Sequence, residues 1–397
     1  MPPAEDLVLG GDIAVRDFGG SGAPLLLLHG AGANLVSMQP LAGELSPQFR
    51  VIAVDLRGHG RSGDGPWEWE TVLGDLEVVC EGLALDEPAV AGWSLGGMVA
   101  ALWAECHPTC PAAVSLDGTP PPSRPDQCAG IDPASVLADL ERLHAAFSAM
   151  RDSMARPLRP SDVQAALDRQ RAMARRYGTP EDMAAEGFRR NLTIRDGQTW
   201  ARPLPQVLAT LQKAMADLDI IPVYRQVKCP LLVALATDDL PEQQPFHELY
   251  AAYRRGFEGR LAKASDANPC LWVTRVEGAT HAMAAEQPGE IARLITHFAT
   301  RPPLTAHGTG RQGQKPISTR PYRSLSGAFR AMAGYLPAGT DEPQGRQPNT
   351  TASAASSTIM KLAGAPVATH RKNRQPLTIS QLSDGICACC HSPQCKR

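Results

Sequence analysis

Short apolar segments recur along the first 300 residues and are separated by segments with helical spacing. The apolar segments lie at 12–18, 24–28, 50–55, 88–91, 112–116, 231–235 and 271–276. Most of them do not alternate apolar with polar positions, which is typical of strands buried on both faces of a parallel sheet. Helical spacing at 69–85 and 95–106 falls between them. The two patterns together predict an α/β fold, a mostly parallel sheet covered by helices on both faces.

A long interval from about 119 to 227 interrupts this order, because it contains only helical patterns and no predicted strand. Asp132 can cap its first helix, whose apolar face recurs at steps of three and four residues: Val136, Leu140, Leu143, Phe147, Met150 and Met154. Further helices are predicted to begin near Ser161 and Thr179, and a fourth contains Leu208. We therefore predict a helical cap inserted between two strands of the sheet.

The composition changes after about residue 300, where Pro, Gly, Ser, Thr and Arg dominate. Residues 301–397 hold 13 basic and 3 acidic residues, whereas residues 1–300 hold 26 basic and 38 acidic ones. The acidic first part disfavours nucleic acid as a partner. The tail, 301–397, is predicted to be disordered because it cannot bury enough apolar surface. The spacing of its four cysteines near the end (Cys387, Cys389, Cys390 and Cys395) matches no standard zinc site, so no metal is expected.

The first residues and the short aliphatic runs favour a cytoplasmic protein. Residues 1–6 show no basic region followed by an apolar run, so no secretory signal is predicted. The longest aliphatic run, Leu25–Leu28, is far shorter than the roughly 20 residues of a membrane span, so no membrane partner is expected. Cysteines in a cytoplasmic protein are expected to stay reduced.

The segment Gly92-Trp93-Ser94-Leu95-Gly96-Gly97 lies between a predicted strand and a predicted helix. A serine on a sharp strand-to-helix turn projects its hydroxyl outward, and glycines two residues away on each side remove side chains that would clash. The helix that follows favours negative charge near its N-terminus. Ser94 is therefore predicted to be a nucleophile.

A serine hydroxyl needs a base to remove its proton, and the base needs an acid to orient it. His281 is the best candidate base, because it follows the strand at 271–276 and lies in a loop before a helix. Three aspartates are candidates for the acid. We rank Asp239 first, after the strand at 231–235, then Asp117, at the end of the strand at 112–116, and then Asp238.

The oxyanion that forms when serine attacks a carbonyl needs two hydrogen-bond donors. The backbone N–H of Leu95, directly after the nucleophile, is the first predicted donor. The second is the N–H of Ala31, in the loop His29-Gly30-Ala31-Gly32-Ala33-Asn34 that follows the strand at 24–28.

Taken in order, these motifs resemble those of the α/β-hydrolase fold family, and more narrowly its capped members, which include bacterial esterases, proline iminopeptidases and C–C bond hydrolases. The resemblance covers about residues 8–300, with the tail outside it. It rests on His29-Gly30, on 55–62 (Asp-Leu-Arg-Gly-His-Gly-Arg-Ser), on Gly92 to Gly97, on Asp239, and on Gly278-Ala279-Thr280-His281.

The resemblance implies a mainly parallel eight-stranded sheet with a cap inserted after strand 6, and neither cofactor nor metal. It also implies that 55–62 is a structural loop, so that Arg57 and His59 belong to the scaffold. Ala236 stands where the family usually has a glycine three residues before the acid. Some members place the acid at the position of Asp117 instead. Epoxide hydrolases and haloalkane dehalogenases of this fold use Asp where this chain has Ser94, so those activities are disfavoured.

The expected function is a cofactor-free serine hydrolase that cleaves a small or medium ester, thioester or lactone, with a small molecule as its partner. A C–C bond hydrolase with the same triad and a non-catalytic ligand receptor are the alternatives. The residues of the predicted cap do not identify the substrate. Arg189, Arg190 and Arg202 either meet a substrate carboxylate or are solvated, and five methionines either line a groove for an acyl chain or pack the cap: Met150, Met154, Met173, Met183 and Met215.

Overall fold

An eight-stranded sheet is the centre of the computed structural model, which describes residues 5–177 and 180–301. Its strands are β1 (Glu5–Leu9), β2 (Ile13–Asp17), β3 (Pro24–Leu28), β4 (Arg50–Val54), β5 (Ala89–Trp93), β6 (Ala113–Leu116), β9 (Leu231–Ala236) and β10 (Leu271–Val276), while β7 (Leu192–Arg195) and β8 (Gln198–Ala201) form a separate pair. The order across the sheet is β1-β2-β4-β3-β5-β6-β9-β10. All neighbours from β4 to β10 are parallel, and β1 and β2 are antiparallel additions. The predicted α/β fold is confirmed.

Helices cover both faces of this sheet. They are α1 (Gln39–Leu45), α2 (Trp69–Gly82), α3 (Leu95–Cys106), α4 (Pro133–Met154), α5 (Pro160–Tyr177), α6 (Glu181–Arg190), α7 (Pro205–Asp217), α8 (Ile220–Gln226), α9 (His247–Ala267), α10 (Met283–Glu286) and α11 (Pro288–Ala299), with short 3-10 helices at Leu35–Met38, Pro125–Gln127 and Pro241–Phe246. Alternate residues of β3 enter opposite cores. Leu26 and Leu28 pack with α2, α3, α8 and α9, whereas Leu25 and Leu27 pack with α1 and α11. Burial on both faces explains why β3 is apolar at every position.

The cap between β6 and β9 contains four helices, α4 to α7, together with the hairpin of β7 and β8. The prediction of a cap without strands was therefore wrong. Asp196 and Gly197 form the turn of the hairpin, with φ of 50° and 72°. Asp-Gly is a preferred sequence for a two-residue turn in which both residues have positive φ. This dipeptide, flanked by Thr193 and Trp200, was the signal that could have identified the hairpin.

Two arginines considered for substrate binding instead join the cap to the core. The side chain of Arg190, at the end of α6, is 1% exposed and pairs with Asp55 and Asp6. Arg202 pairs with Asp64 and donates to the carbonyl of Gly60 at 2.8 Å. The expectation that these arginines are solvated was wrong for both, while Arg189 is exposed. Their charges are neutralised inside the protein, so they stabilise the docking of the cap.

The methionines of the cap do not form one continuous surface. Met150, Met154 and Met215 pack against the core that contains α2 and α3. Met183 packs against the core on the other face of the sheet, together with Trp93. The side chain of Met173 lies outside the described residues. The described methionines therefore fit packing of the cap better than a shared groove for an acyl chain.

The predictions made for the tail, its disorder and the absence of a metal at its cysteines, lie outside the described residues. Within 5–177 and 180–301, no helix is long and apolar enough to cross a bilayer.

The buried ion pair of Arg190 predicts a large effect on stability. Arg190→Met leaves Asp55 buried without its cation, and loss of one partner of a buried pair typically lowers the free energy of unfolding by about 3–5 kcal/mol. Urea unfolding followed by circular dichroism measures this change. Lys213→Met is the control, because Lys213 and Asp217 form an exposed pair whose loss should hardly move the midpoint. Equal midpoints for the two variants would contradict the anchoring role.

Candidate active site

Ser94 lies at the junction of β5 and α3, in a backbone conformation that residues other than glycine rarely adopt. Its φ is 55° and its ψ is −116°. A Cβ at Gly92 would overlap the carbonyl of Gly96, and a Cβ at Gly96 would overlap the carbonyl of Leu28. Glycine at both positions thus permits the close approach of strand, helix and neighbouring loop. A residue held in such a region stores on the order of 1–3 kcal/mol of strain, which the surrounding structure must offset.

His281 lies in the loop between β10 and α10 and reaches the serine directly. Its Nε2 is 2.9 Å from Oγ of Ser94. The indole N–H of Trp93, the residue before Ser94, donates to the backbone carbonyl of His281. The side chain of His281 is 30% exposed, so the ring is accessible from solvent while the loop that carries it is held in place.

The carboxylate beside His281 belongs to Asp117, directly after β6. Its Oδ2 is 2.6 Å from Nδ1 of His281, and its Oδ1 accepts from the N–H of Ala236 at 3.0 Å. Burial favours the neutral acid, but the hydrogen bonds and positive charge of His281 outweigh it and hold the pKa of Asp117 below its usual range. An ionised carboxylate only accepts hydrogen bonds. Nδ1 of His281 therefore carries a proton in the charged and in the neutral ring, and in the neutral ring Nε2 can accept from the hydroxyl of Ser94.

Asp239, ranked first as the acid, is not brought to His281. One oxygen of its carboxylate accepts from Arg254 and the other lies 2.9 Å from Nδ1 of His247. Both partners come from α9, so the helix holds this side chain away from the histidine loop. Asp238 is exposed and accepts from the hydroxyl of Thr237 at 3.1 Å. The expected pairing with His281 is therefore corrected from Asp239 to Asp117, the second of the three candidates.

The loop after β3 lies against Ser94. The N–H of Gly96 donates to the carbonyl of His29 at 3.1 Å. A Cβ built at Gly30 would lie 3.2 Å from Cβ of Ser94. Within the described residues, the backbone N–H groups of Ala31 and Leu95 donate to no protein acceptor. Both donors therefore remain available to a ligand.

Two buried histidines connect this loop to the loop after β4. His29 accepts from the N–H of Leu56 through Nε2, and His59 accepts from the N–H of Gly32 in the same way. Each ring donates from Nδ1 to a carbonyl, of Gly30 and of Arg57 respectively. Burial lowers the pKa of His29 to about 4 and that of His59 to about 3, so both rings are neutral near pH 7. Their contacts agree with the scaffold role expected for His59.

No cluster that could bind a metal is found in the described part of the chain. Its histidine, cysteine and acidic side chains form no group of three placed to hold an ion. The arrangement at Ser94 can instead transfer a proton from a hydroxyl to a ring nitrogen, next to two unused N–H donors.

Comparison with known proteins identifies relatives of the whole described domain. The family model described as the alpha/beta hydrolase family matches residues 25–294. A 2-(acetamidomethylene)succinate hydrolase of Mesorhizobium japonicum is 29% identical over 285 residues, which are 70% of this chain and 88% of that protein. A crystal structure of E-2-(acetamidomethylene)succinate hydrolase has a TM-score of 0.53 and 25% identity, covering 74% of this chain and 98% of that one.

Other relatives match over shorter stretches. A pimeloyl-[acyl-carrier protein] methyl ester esterase of Pseudoalteromonas atlantica is 36% identical over 128 residues, or 31% of this chain. The chain spans about half of the length of that esterase, 48%, and about a third, 34%, of another relative matched in this way. These relatives are hydrolases of more than one kind.

The two neutral histidines predict that stability falls as the pH is lowered. Their folded pKa values lie below the unfolded value of 6.5, so the unfolded chain binds more protons below that pH. The contribution of each neutral ring to the free energy of unfolding is complete above pH 6.5. It declines as the pH falls, towards pH 4 for His29 and towards pH 3 for His59. At pH 5 each ring should lower the free energy of unfolding by about 2 kcal/mol relative to pH 7.5.

Urea unfolding at pH 7.5 and pH 5 measures this loss. His59→Gln supplies an amide oxygen for Gly32 but does not titrate, so its loss between the two pH values should be smaller than that of the unaltered protein. An identical loss in both proteins would show that His59 does not contribute.

Proposed function

Because the chain belongs to the α/β hydrolase family, we propose that it is a serine hydrolase that cleaves a small or medium ester, thioester or lactone through an acyl-enzyme. One observation carries the proposal, the continuous chain of contacts from Ser94, after β5, through His281 to Asp117, after β6. The esterase among its relatives supports an ester bond as the target.

The proposed reaction begins when His281 accepts the proton of the Ser94 hydroxyl at Nε2. Oγ of Ser94 attacks the carbonyl carbon of the substrate, and the carbonyl oxygen becomes an oxyanion. The imidazolium returns the proton to the leaving group as the acyl bond breaks, which leaves an ester on Ser94. A water molecule then gives a proton to His281 and attacks that ester. The imidazolium returns the proton to Oγ of Ser94 as the bond to the acyl group breaks and the acid is released.

Asp117 has an orienting and electrostatic role in this scheme. It fixes the tautomer of His281 and stabilises the positive charge that the ring acquires. The depressed pKa of Asp117 supports the role, because the group remains a carboxylate while the ring is charged. Asp239 is already neutralised by Arg254 and is assigned no step.

The N–H groups of Leu95 and Ala31 are the proposed donors to the oxyanion. Loss of one such donor in a serine hydrolase raises the barrier by about 3–4 kcal/mol. Their lack of a protein acceptor supports this assignment, since a pre-organised donor needs no rearrangement when the charge forms.

A second candidate is hydrolysis of a substrate like 2-(acetamidomethylene)succinate, which a relative matched over 88% of its own length favours. Such a substrate carries two carboxylates. Arg190 and Arg202 are already paired with aspartates, and this favours the ester. C–C bond cleavage and ligand reception remain the further alternatives.

The serine variant tests the proposal. The unaltered protein should hydrolyse p-nitrophenyl butyrate and be labelled at Ser94 by a fluorophosphonate. Ser94→Ala should lose the label and more than about 10³-fold in kcat. Unchanged turnover in Ser94→Ala would end the proposal. Turnover of 2-(acetamidomethylene)succinate without turnover of the ester would favour the second candidate, and a folded protein that is never labelled would favour a receptor.

A matched pair of variants tests the assignment of the acid. Asp117→Asn should lower kcat by on the order of 10³–10⁴-fold, because an amide can donate to Nδ1 and stabilise the wrong tautomer of His281. Asp239→Asn keeps the shape of the side chain and should lower kcat only a few-fold. Steady-state kinetics with p-nitrophenyl butyrate compare the two. A larger loss in Asp239→Asn than in Asp117→Asn would restore Asp239 as the acid.

A further inference from the structure

Asn191 joins the cap to the two loops beside Ser94 through both ends of its amide. It lies directly after α6 and is 2% exposed. Its Nδ2 donates to the carbonyl of Gly32 at 2.9 Å, and its Oδ1 accepts from the N–H of Gly60 at 3.0 Å. These partners fix the orientation of the amide, because a carbonyl requires a donor and an N–H requires an acceptor.

The contact with Gly32 continues through the backbone to Ala31. The peptide group that contains the Gly32 carbonyl also contains the N–H of Ala33, which donates to the carbonyl of Gly30 at 3.1 Å. The peptide group that contains the Gly30 carbonyl also contains the N–H of Ala31. Two peptide groups are therefore hydrogen-bonded in series, with Asn191 at one end and the free N–H of Ala31 at the other.

Packing does little to fix Ala31 and Gly32, which lie between the packed residues Gly30 and Ala33. Gly32 has φ of 73°, and a Cβ built there would meet no atom within 4 Å. Ala31 is exposed. The direction of the Gly32 carbonyl therefore depends on hydrogen bonds, and Asn191 supplies the one that comes from the cap.

We infer that Asn191 is a positioning residue that aims and polarises the Ala31 N–H towards the oxyanion, an inference that rests on the proposed hydrolase function. Hydrogen-bonded amides in series polarise one another, so a donor at the far end strengthens the donor at the near end. The series has no role in holding the substrate before reaction. Its effect is on the tetrahedral state, in which the oxyanion exists.

Asn191→Asp and Asn191→Ala test the inference, with Glu186→Gln as the control. Asn191→Asp keeps an oxygen that accepts from the N–H of Gly60, but it puts a second oxygen in place of the Nδ2 that donates to the carbonyl of Gly32. Asn191→Ala removes both hydrogen bonds. Glu186 joins the same helix, α6, to the core through Arg16 at 2.7 Å, and its hydrogen bond does not involve the series. The measurements are kcat and KM for p-nitrophenyl butyrate, the inhibition constant of a trifluoromethyl ketone that forms an oxyanion on Ser94, and circular dichroism.

Both Asn191 variants should lower kcat about tenfold or more, because small displacements of a catalytic donor reduce rates strongly. KM should change less than twofold, and the ketone should bind more weakly by the same factor as kcat falls. Glu186→Gln should leave all three values within twofold.

Folded Asn191 variants whose kcat and ketone affinity match those of Glu186→Gln would overturn the inference. So would a rise in KM at constant kcat, which would make Asn191 a binding residue, and so would failure of both variants to fold, which would make it an anchor of the fold. If the unaltered protein shows neither turnover nor labelling at Ser94, the proposed function itself is wrong.

Discussion

The backbone of Ser94 is fixed by hydrogen bonds to both neighbours of β5 in the sheet, and the rest of the site is arranged around this constraint. The N–H of Ser94 donates to the carbonyl of Leu116, at the end of β6, and the N–H of Gly96 donates to His29, after β3. Since β3 and β6 flank β5, the loop after one strand and the carboxylate after the other lie on opposite sides of the hydroxyl. The order of the strands thus places the loop after β3 and the end of β6 on either side of the turn at Ser94.

Hydrogen bonds between uncharged groups hold the two loops near the hydroxyl of Ser94. The buried charged side chains next to these loops are paired with each other. His29 and His59 connect the two loops as uncharged rings, while Asp55 accepts from the N–H of Leu35 and from Arg190. A charge placed in a buried site must be compensated, whereas a neutral ring needs only its two hydrogen bonds. The loop beside Ser94 is therefore rigid without a fixed charge of its own.

Much of this arrangement follows from the sequence, because its main signals are local. Apolar runs identified the parallel strands, and the glycines around Ser94 identified the turn. The acid and the hairpin of the cap were harder to predict. Asp117 and Asp239 both follow strands of the sheet, and the choice depends on Arg254 and His247, which lie fifteen and eight residues beyond Asp239. Ala236, which stands where the family usually has a glycine, was the local sign that the loop of Asp239 differs from the family's pattern. The hydrogen bond from Asn191 to Gly32, which begins the series that leads to Ala31, joins residues 159 positions apart and has no local signal.

The first strand of the chain has a consequence for the cap. β1 lies at the edge of the sheet and pairs only with β2, so it resembles an addition that the core does not need. Yet Asp6, in β1, is a counter-ion of the buried Arg190 and also pairs with Arg16. The segment that begins the chain and a helix 184 residues further along are thus bound to each other electrostatically. Deleting β1 would leave Arg190 with Asp55 as its one remaining carboxylate partner among those two, and it would disturb the cap although β1 lies at the edge of the sheet.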